Sequence, residues 1–325
     1  MSEALVSVRA SVIVVTLNRA GELQTTLASL RTQRTDFPYE IIVVDNNSAD
    51  QTKTVVATVA ASDPRVRYVH APVRGISFAR NAGVAASRGV ILVFADDDIT
   101  APPSWLAALV GTYAAHPDAW CVGGRILLEL PVRDVPTWFD ARLAFYLTCL
   151  DLGMGVVRRH YPEDVYAANF SVTREALRRV GLFNPSLGSR GDRKIAADET
   201  ELIWRIQRAG GAVYYCGGAM VVHRVPPSRL TKRFFRWQAY WQGRAQGLLR
   251  VDDPQHTVPM LASRAVRVAK TWIKSQRTSA RFDRVLVFRE QLSIMLDVGY
   301  LHQRWRREQL GPPPRLEEPS VKEPT

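Results

Sequence analysis

The apolar run Val90-Ile91-Leu92-Val93-Phe94 ends, after one alanine, in three consecutive carboxylates, Asp96-Asp97-Asp98. Its length and β-branched content mark it as a buried strand. Side chains alternate faces along a strand, so Asp96 and Asp98 project one way and Asp97 the other. Like charges clustered where a strand leaves a sheet are costly unless a cation offsets them. Oxygen ligands of this kind suit Mg2+ or Mn2+, which commonly bridge to phosphate oxygens. Taken alone, the triplet also reads as a solvated acidic turn.

That strand belongs to a series. Val8–Thr16, Glu40–Asp45 and Val66–His70 read as strands. Ala20–Gln33, with Leu23, Leu27 and Leu30 at helical spacing, reads as a helix, as do Thr52–Ala61 and Ser77–Ser87. Such alternation predicts parallel β-α units and an α/β fold with a doubly wound, mostly parallel sheet. Ligands bind such sheets at the carboxyl ends of the strands, where Thr16, Asp45 and Asp96–Asp98 all fall. Further on, Cys121–Leu128 predicts a strand, Val172–Val180 and Asp198–Ala209 helices, and Ala212–Tyr215 and Ala219–His223 short strands. Pro131–Tyr161, mixed in Pro and aromatics, predicts a loop-and-helix insertion over the site, and Pro226-Pro227 breaks the chain.

Charge separates the chain into two parts. The formal net charge is +12, and residues 224–308 hold 18 Lys/Arg against 6 Asp/Glu, so the rest is close to neutral. A basic region joined to a balanced body points to an anionic partner. Met260–Lys274 sets Leu261, Ala265, Val268 and Trp272 on one side and Arg264, Arg267, Lys270 and Lys274 largely on another. A basic amphipathic helix of this kind suits an anionic membrane surface, or it packs on the body with its charges in water. No nucleic-acid recognition motif accompanies the charge, so no nucleic acid is expected. No apolar stretch is long enough to span a bilayer and the N-terminus lacks a secretion signal, which predicts a cytoplasmic protein, peripheral on the inner face of the membrane. Cys121, Cys149 and Cys216 lie far apart without metal-ligand spacing and read as free thiols.

Thr16-Leu17-Asn18-Arg19-Ala20-Gly21 is neither a dinucleotide fingerprint nor a P-loop. A nucleotide at this rim would hold its phosphates through a metal rather than backbone amides. Asp45 accepts only, so it can meet the N–H edge of a base such as uracil; it can equally open an Asx-turn with Asn46-Asn47-Ser48. Arg80 can reach a phosphate or carboxylate bidentately. In Asp198-Glu199-Thr200-Glu201, Asp198 and Glu201 resemble a capping box, which leaves Glu199 free to act as general base on a sugar hydroxyl. His223 is a structural hydrogen-bonder or a further ligand to a metal begun by the two aspartates.

In their order these segments resemble the family-2 inverting glycosyltransferases of the GT-A fold. The likeness runs through Ser11–Arg19, Val43–Asp50, Ala79–Gly83, the Asp96–Asp98 triplet, Asn169-Phe170 before Arg174, Gly181–Asn184 and the Asp198–Leu202 block, over roughly residues 8–227. The resemblance implies a catalytic domain at 1–227, with a nucleotide-sugar half to about residue 100 and an acceptor half beyond it. A basic helical region at 228–308 and a disordered tail at 309–325 would follow. It implies a nucleotide-diphosphate sugar donor, most often a UDP-sugar, Mg2+ or Mn2+, and a glycan or lipid-linked acceptor. Thr16, Asn18, Arg19, Asp45, Arg80, Asn81, Asp96 and Asp97 would bind the donor. Asp98, Asp96 and His223 would hold the metal, and Asn169 and Trp204 would face the acceptor. The family's Glu-Asp block is here Asp198-Glu199, so Glu199 takes the base position with one extra methylene and Asp198 stays a candidate. A nucleotide-sugar-binding module without turnover, or a metal-dependent nucleotidyltransferase, are the competing readings.

Overall fold

The computed structural model describes residues 8–131, 133, 135–161, 165–191, 193–195, 197–249, 258–278, 284–306, 308 and 310–316. Its first part alternates β1 (Ala10–Thr16), α1 (Ala20–Arg31), β2 (Tyr39–Asp45), α2 (Thr52–Ser62), β3 (Val66–His70), α3 (Ile76–Ala86) and β4 (Ile91–Asp96). These four strands pair in parallel in the order β3-β2-β1-β4. β2 is buried along its whole length, as expected of a strand covered on both faces. Its one charged interior side chain, Glu40, is satisfied by Arg67 at 2.7 Å and Ser11 Oγ at 2.7 Å. α3 lies close to the sheet because Gly83 faces it: a Cβ there would stand 2.5 Å from Ile13 Cγ2.

The second part comprises β5 (Ile99–Thr100), α4 (Trp105–Ala115), β6 (Ala119–Glu129), β7 (Val156–Arg159), β8 (Asn169–Thr173), α5 (Arg174–Val180), β9 (Gly188–Arg190), β10 (Arg193–Ile195), α6 (Asp198–Arg208) and β11 (Ala212–Arg224). The sheet continues from β4 through β8, β6 and β11 to β5, with β7 on β11, while β9 and β10 form a separate hairpin.

Two expectations change here. Val172 and Thr173 are not helical: they end β8, which runs antiparallel between β4 and β6. Burial beside β4 and β6 favours the extended form for these β-branched residues. The helix begins only after Thr173, whose Oγ1 caps Ala176 N at 3.1 Å. The two short strands at 212–223 are one strand, whose pairing with β6 shifts register between Cys216 and Met220, around Gly217-Gly218.

The basic region is helical: α7 (Lys232–Leu249), α8 (Val258–Thr278) and α9 (Arg284–Arg306). α7 and α9 touch backbone to backbone. A Cβ on Gly243 would collide with the Leu296 carbonyl oxygen, and one on Gly299 with that of Tyr240. Phe235 on α7 and Phe288 on α9 form a second core with Leu143, Tyr146 and Leu147 of the 131–161 insertion, so the insertion is clamped to these helices. On α8 the expected apolar side is partly open: Trp272 is 57% exposed and Ala265 is exposed, Val268 is half-buried, and the side chains of Leu261 and Arg264 lie outside the described residues. The tail is ordered where it is described. Leu182 N donates to Pro314 O at 2.8 Å, Asn184 Nδ2 to Gly311 O at 2.7 Å, and Leu316 packs on the main core. Residues 317–325 lie outside the described residues.

Candidate active site

β4 ends at Asp96, and Asp97-Asp98 turn the chain into β5. β5 pairs antiparallel with the end of β11 so that His223 stands opposite Ile99. This register brings His223 beside Asp98. One ligand atom from each of Asp96, Asp98 and His223 falls within 4.8 Å of the others. Asp97 turns elsewhere, as alternation predicts: it accepts from Thr16 Oγ1 at 2.7 Å and pairs with Arg19 at 3.1 Å. Burial pushes the Asp97 carboxyl up to about 7 against the pull of Arg19 and Thr16. Asp96 is raised by burial and by the charge of Asp98. Asp98 is held well below the usual carboxylate range: burial opposes this, but the adjacent His223 ring, then Arg19 and Arg229, outweigh it.

The bonding of His223 bears on what belongs between these groups. Its Nδ1 lies 3.0 Å from the Leu147 carbonyl, which accepts only, so Nδ1 carries the proton. The other ring nitrogen, Nε2, then faces Asp98 Oδ1, 3.2 Å away. That buried Oδ1 has no hydrogen-bond partner among the described residues. Two acceptors facing each other in a buried site call for a proton or a cation between them. A ring nitrogen donated to a backbone carbonyl, with the other free, is also the way metal-ligating histidines are oriented. The donor set of two carboxylates and an imidazole fits a divalent cation.

Beside this group lies a cavity of about 370 Å³, lined by Thr16, Arg19, Asn46, Asp96–Asp98, Ser189 and Arg190, among others. Its rim is held by the loops after β1 and β2. Asn18, in the left-handed region at φ 54°, accepts from Ala49 N at 2.7 Å, and its own N–H donates to Ser48 Oγ at 2.9 Å. Asp45 accepts from Ser48 N, three residues on, at 2.8 Å rather than closing the two-residue Asx-turn, and its other oxygen accepts from Tyr68 at 2.8 Å. It stands next to the lining residue Asn46 but does not itself line the cavity. Asn46 joins the loop to α3, accepting from Gly75 N at 2.8 Å.

The second acidic pair sits at the start of α6, directly after the β9–β10 hairpin whose Ser189, Arg190 and Gly191 also line the cavity. Asp198 is 1% exposed and accepts from Arg80 at 2.5 Å and Ser77 Oγ at 3.2 Å. Gly188 makes room for this contact: a Cβ there would come within 2.6 Å of Ser77 Oγ. Glu199 lies 3.7 Å from the same guanidinium without a hydrogen bond to it. Burial pushes Glu199 up to about 8, Asp198 adds to the rise, and Arg80 opposes it. Arg80 also feels the charge of Asp96, so one buried cation links the two acidic groups.

Four of the expected contacts fall elsewhere. The amide of Asn81 is used at both ends by the backbone of Phe183, at 2.8 and 3.0 Å. Asn169 is fully buried and bonded to Trp105 Nε1, Arg125 O and Ala219 O, so it seams three strands and α4 rather than facing an acceptor. Trp204 is half-buried beneath the Arg208 guanidinium, 4.8 Å from its ring centroid. Arg80 is directed to Asp198 and Glu199 rather than to the cavity. Sequence reasoning missed Arg74, Arg190 and Arg229, which line the cavity, and the Leu147 carbonyl behind His223. Arg229, just past the proline pair in a basic segment, left some trace in the sequence; a backbone carbonyl leaves none.

Comparison with known proteins follows from this arrangement. Residues 11–135 match the family described as Glycosyl transferase family 2. The chain is 29% identical over 252 residues, 76% of its own length and 79% of the relative's, to the glucosyl-dolichyl phosphate glucuronosyltransferase of Haloferax volcanii. It is 28% identical to the succinoglycan biosynthesis protein ExoM of Rhizobium meliloti, covering 71% of this chain and 72% of that one. It is also 28% identical to the pre-mycofactocin glycosyltransferase of Mycobacterium tuberculosis, covering 81% of this chain but spanning only 52% of the relative. Among solved structures, the mannosyltransferase PcManGT from Pyrobaculum calidifontis, in complex with GDP-Man and Mn2+, superposes with a TM-score of 0.60 at 20% identity. That match covers 92% of this chain and 88% of the other. With the sheet, the strand-end acids and these matches together, the chain has a GT-A type fold, and its residues 11–135 carry a likeness to glycosyltransferase family 2 that supports a family-2 glycosyltransferase.

Proposed function

We propose that the protein moves a sugar from a nucleotide-diphosphate sugar, most simply a UDP-sugar, to an acceptor hydroxyl with inversion. The observation that carries this reading is the meeting of Asp96, Asp98 and His223 at one edge of the cavity, with half-buried Glu199 in the first turn of α6, shortly after the hairpin that lines the same cavity. Asp96, Asp98 and His223 would hold the cation, and an imidazole among the ligands favours Mn2+ over Mg2+, which prefers oxygen and water. When bound, a dication neutralises charge gained by the leaving diphosphate. Glu199 takes the acceptor hydroxyl's proton as that oxygen bonds to the anomeric carbon. The bond to the diphosphate breaks from the opposite face and its electron pair leaves with the phosphate, so one displacement inverts the centre. Asp198, whose Oδ2 accepts from both Arg80 and Ser77, positions Glu199 instead of acting as the base. Arg19 and Thr16 hold Asp97, and with it the turn that aims Asp96 and Asp98.

A panel of nucleotide sugars screened for thermal stabilisation, with and without Mn2+, tests the reading. The expected result is a rise in Tm for one nucleoside class only when Mn2+ is present. Equal shifts without metal would count against it.

The acceptor is proposed to be lipid-linked or a glycan assembled at a membrane. Among the described residues no helix is long and apolar enough to cross one. Support comes from α8, whose exposed Val266, Trp272 and Ile273 lie among exposed Lys270 and Lys274, and from Trp305 of α9, 81% exposed. Aromatic and basic side chains together suit an anionic lipid surface on the cytoplasmic side. Co-sedimentation with anionic but not zwitterionic vesicles is expected, weakening with salt; equal recovery with both would refute the electrostatic part.

A further inference from the structure

The loop between β11 and α7 brings a second cation to the candidate metal site. Arg229 ends a short 3-10 turn after Pro226-Pro227, and its side chain is 31% exposed at the cavity. One guanidinium nitrogen lies 3.3 Å from His223 Nε2 and another 3.7 Å from Asp98 Oδ2. These are the same two residues that a dication would use.

The three groups crowd one another, with Nε2 of His223 approached from both sides. With Nδ1–H committed to Leu147, a neutral His223 can accept from Arg229 through Nε2, but its lone pair then also faces Asp98 Oδ1. If Nε2 is protonated it bonds to Oδ1, but its N–H then opposes the N–H groups of Arg229. A dication ligated by Nε2 and Oδ1 removes the conflict only if Arg229 withdraws, because Nε2 has a single lone pair. Arg19 is under no such pressure, since it bridges Asp97 and Asp98 at 3.1 and 2.8 Å and uses no atom of His223. Arg229 hangs on one ion-pair contact and a half-open side chain, and the space it faces is the cavity. A displaced guanidinium there meets the oxyanions of whatever diphosphate enters, which its planar fork fits bidentately.

We propose that Arg229 is an exchangeable counter-cation, held by His223 and Asp98 in the empty protein and handed to the donor's diphosphate when the metal enters. The inference rests on the proposed donor and metal site. It makes metal and donor binding mutually reinforcing, because the metal frees Arg229 and the diphosphate receives it.

The test is calorimetric titration of Mn2+ into the full-length protein, with and without UDP, for wild type, Arg229→Gln and Arg229→Lys, each checked for an unchanged melting profile. In Arg229→Gln the competing cation is gone, so Mn2+ alone is expected to bind roughly three- to tenfold tighter, while its enhancement by UDP shrinks. Turnover falls roughly 10- to 100-fold with the loss of a charged donor to the leaving group, and Arg229→Lys restores part of it. A residue that merely braces the loop would not tighten metal binding. Unchanged or weaker Mn2+ binding in Arg229→Gln, with wild type still binding Mn2+ in the presence of UDP, overturns the exchange but leaves the donor-site reading intact. Failure of wild type to bind Mn2+ even with UDP overturns the reading underneath.

Discussion

Replacement of Glu199 by Gln is expected to lower kcat by roughly a hundred- to ten-thousandfold while leaving Mn2+ and nucleotide binding near wild-type values. The substitution keeps shape and burial and removes only the ability to accept a proton. Glu199 is suited to that task because burial, reinforced by Asp198, pushes it up to about 8 against the pull of Arg80. A base must be unprotonated to act, so the competent fraction of free enzyme falls about tenfold per pH unit below 8. The quantity kcat/KM should therefore rise through this range and level off above it, and the limb should vanish from the residual activity of Glu199→Gln. The same shift has a stability consequence. Folded protein retains a proton that the unfolded chain releases above its ordinary value of 4.5, so stability declines as pH rises from there to about 8. Steady-state kinetics across pH on both proteins checks the assignment. A full-rate Glu199→Gln enzyme would pass the role to Asp198, whose Oδ2 is already bonded by Arg80 and Ser77.

Asp98→Asn should abolish metal-dependent donor binding, weakening Mn2+ by at least about a hundredfold, since a first ligand matters more than its supports, whose loss costs 10- to 100-fold. Its carboxylate is 1% exposed and has one oxygen on Arg19 and the other facing His223. The amide keeps the volume but removes the charge, and Arg19 retains Asp97, so the turn should stay in place. Mn2+ titration in the presence of UDP, with circular dichroism to confirm folding, reads the effect. Mn2+ affinity equal to wild type would remove Asp98 from the ligand set.

How much of the site was legible differs residue by residue. Asp96 and Asp98 were legible because an apolar β-branched run and the acids that end it are neighbours in sequence, and alternation assigns their faces. The turn that Asp45 opens toward Ser48 was legible for the same reason. Asn81 and Asn169 were not, because an amide's partners are chosen by whatever backbone lies opposite. For Asn81 that is Phe183, and for Asn169 it is Arg125 and Ala219. Strand β8 was lost in part to a helical reading, since Val172 and Thr173 are extended only by virtue of lying between β4 and β6.

From sequence alone came the order of parallel β-α units, the acid-bearing strand ends, the Asp198-Glu199 pair and the basic helical region, all of them set by periodicity and composition over a few neighbouring residues. Tertiary structure decided which of these groups share a space. The β5–β11 register brings His223 to Asp98, the insertion supplies the Leu147 carbonyl that orients it, and the post-β11 loop delivers Arg229. Packing of the first turn of α6 against α3 then divides two adjacent carboxylates, fixing Asp198 on Arg80 and Ser77 while Glu199 is raised. The reason is that charge and hydrogen-bond energies depend on through-space distance and desolvation, which a linear pattern does not carry.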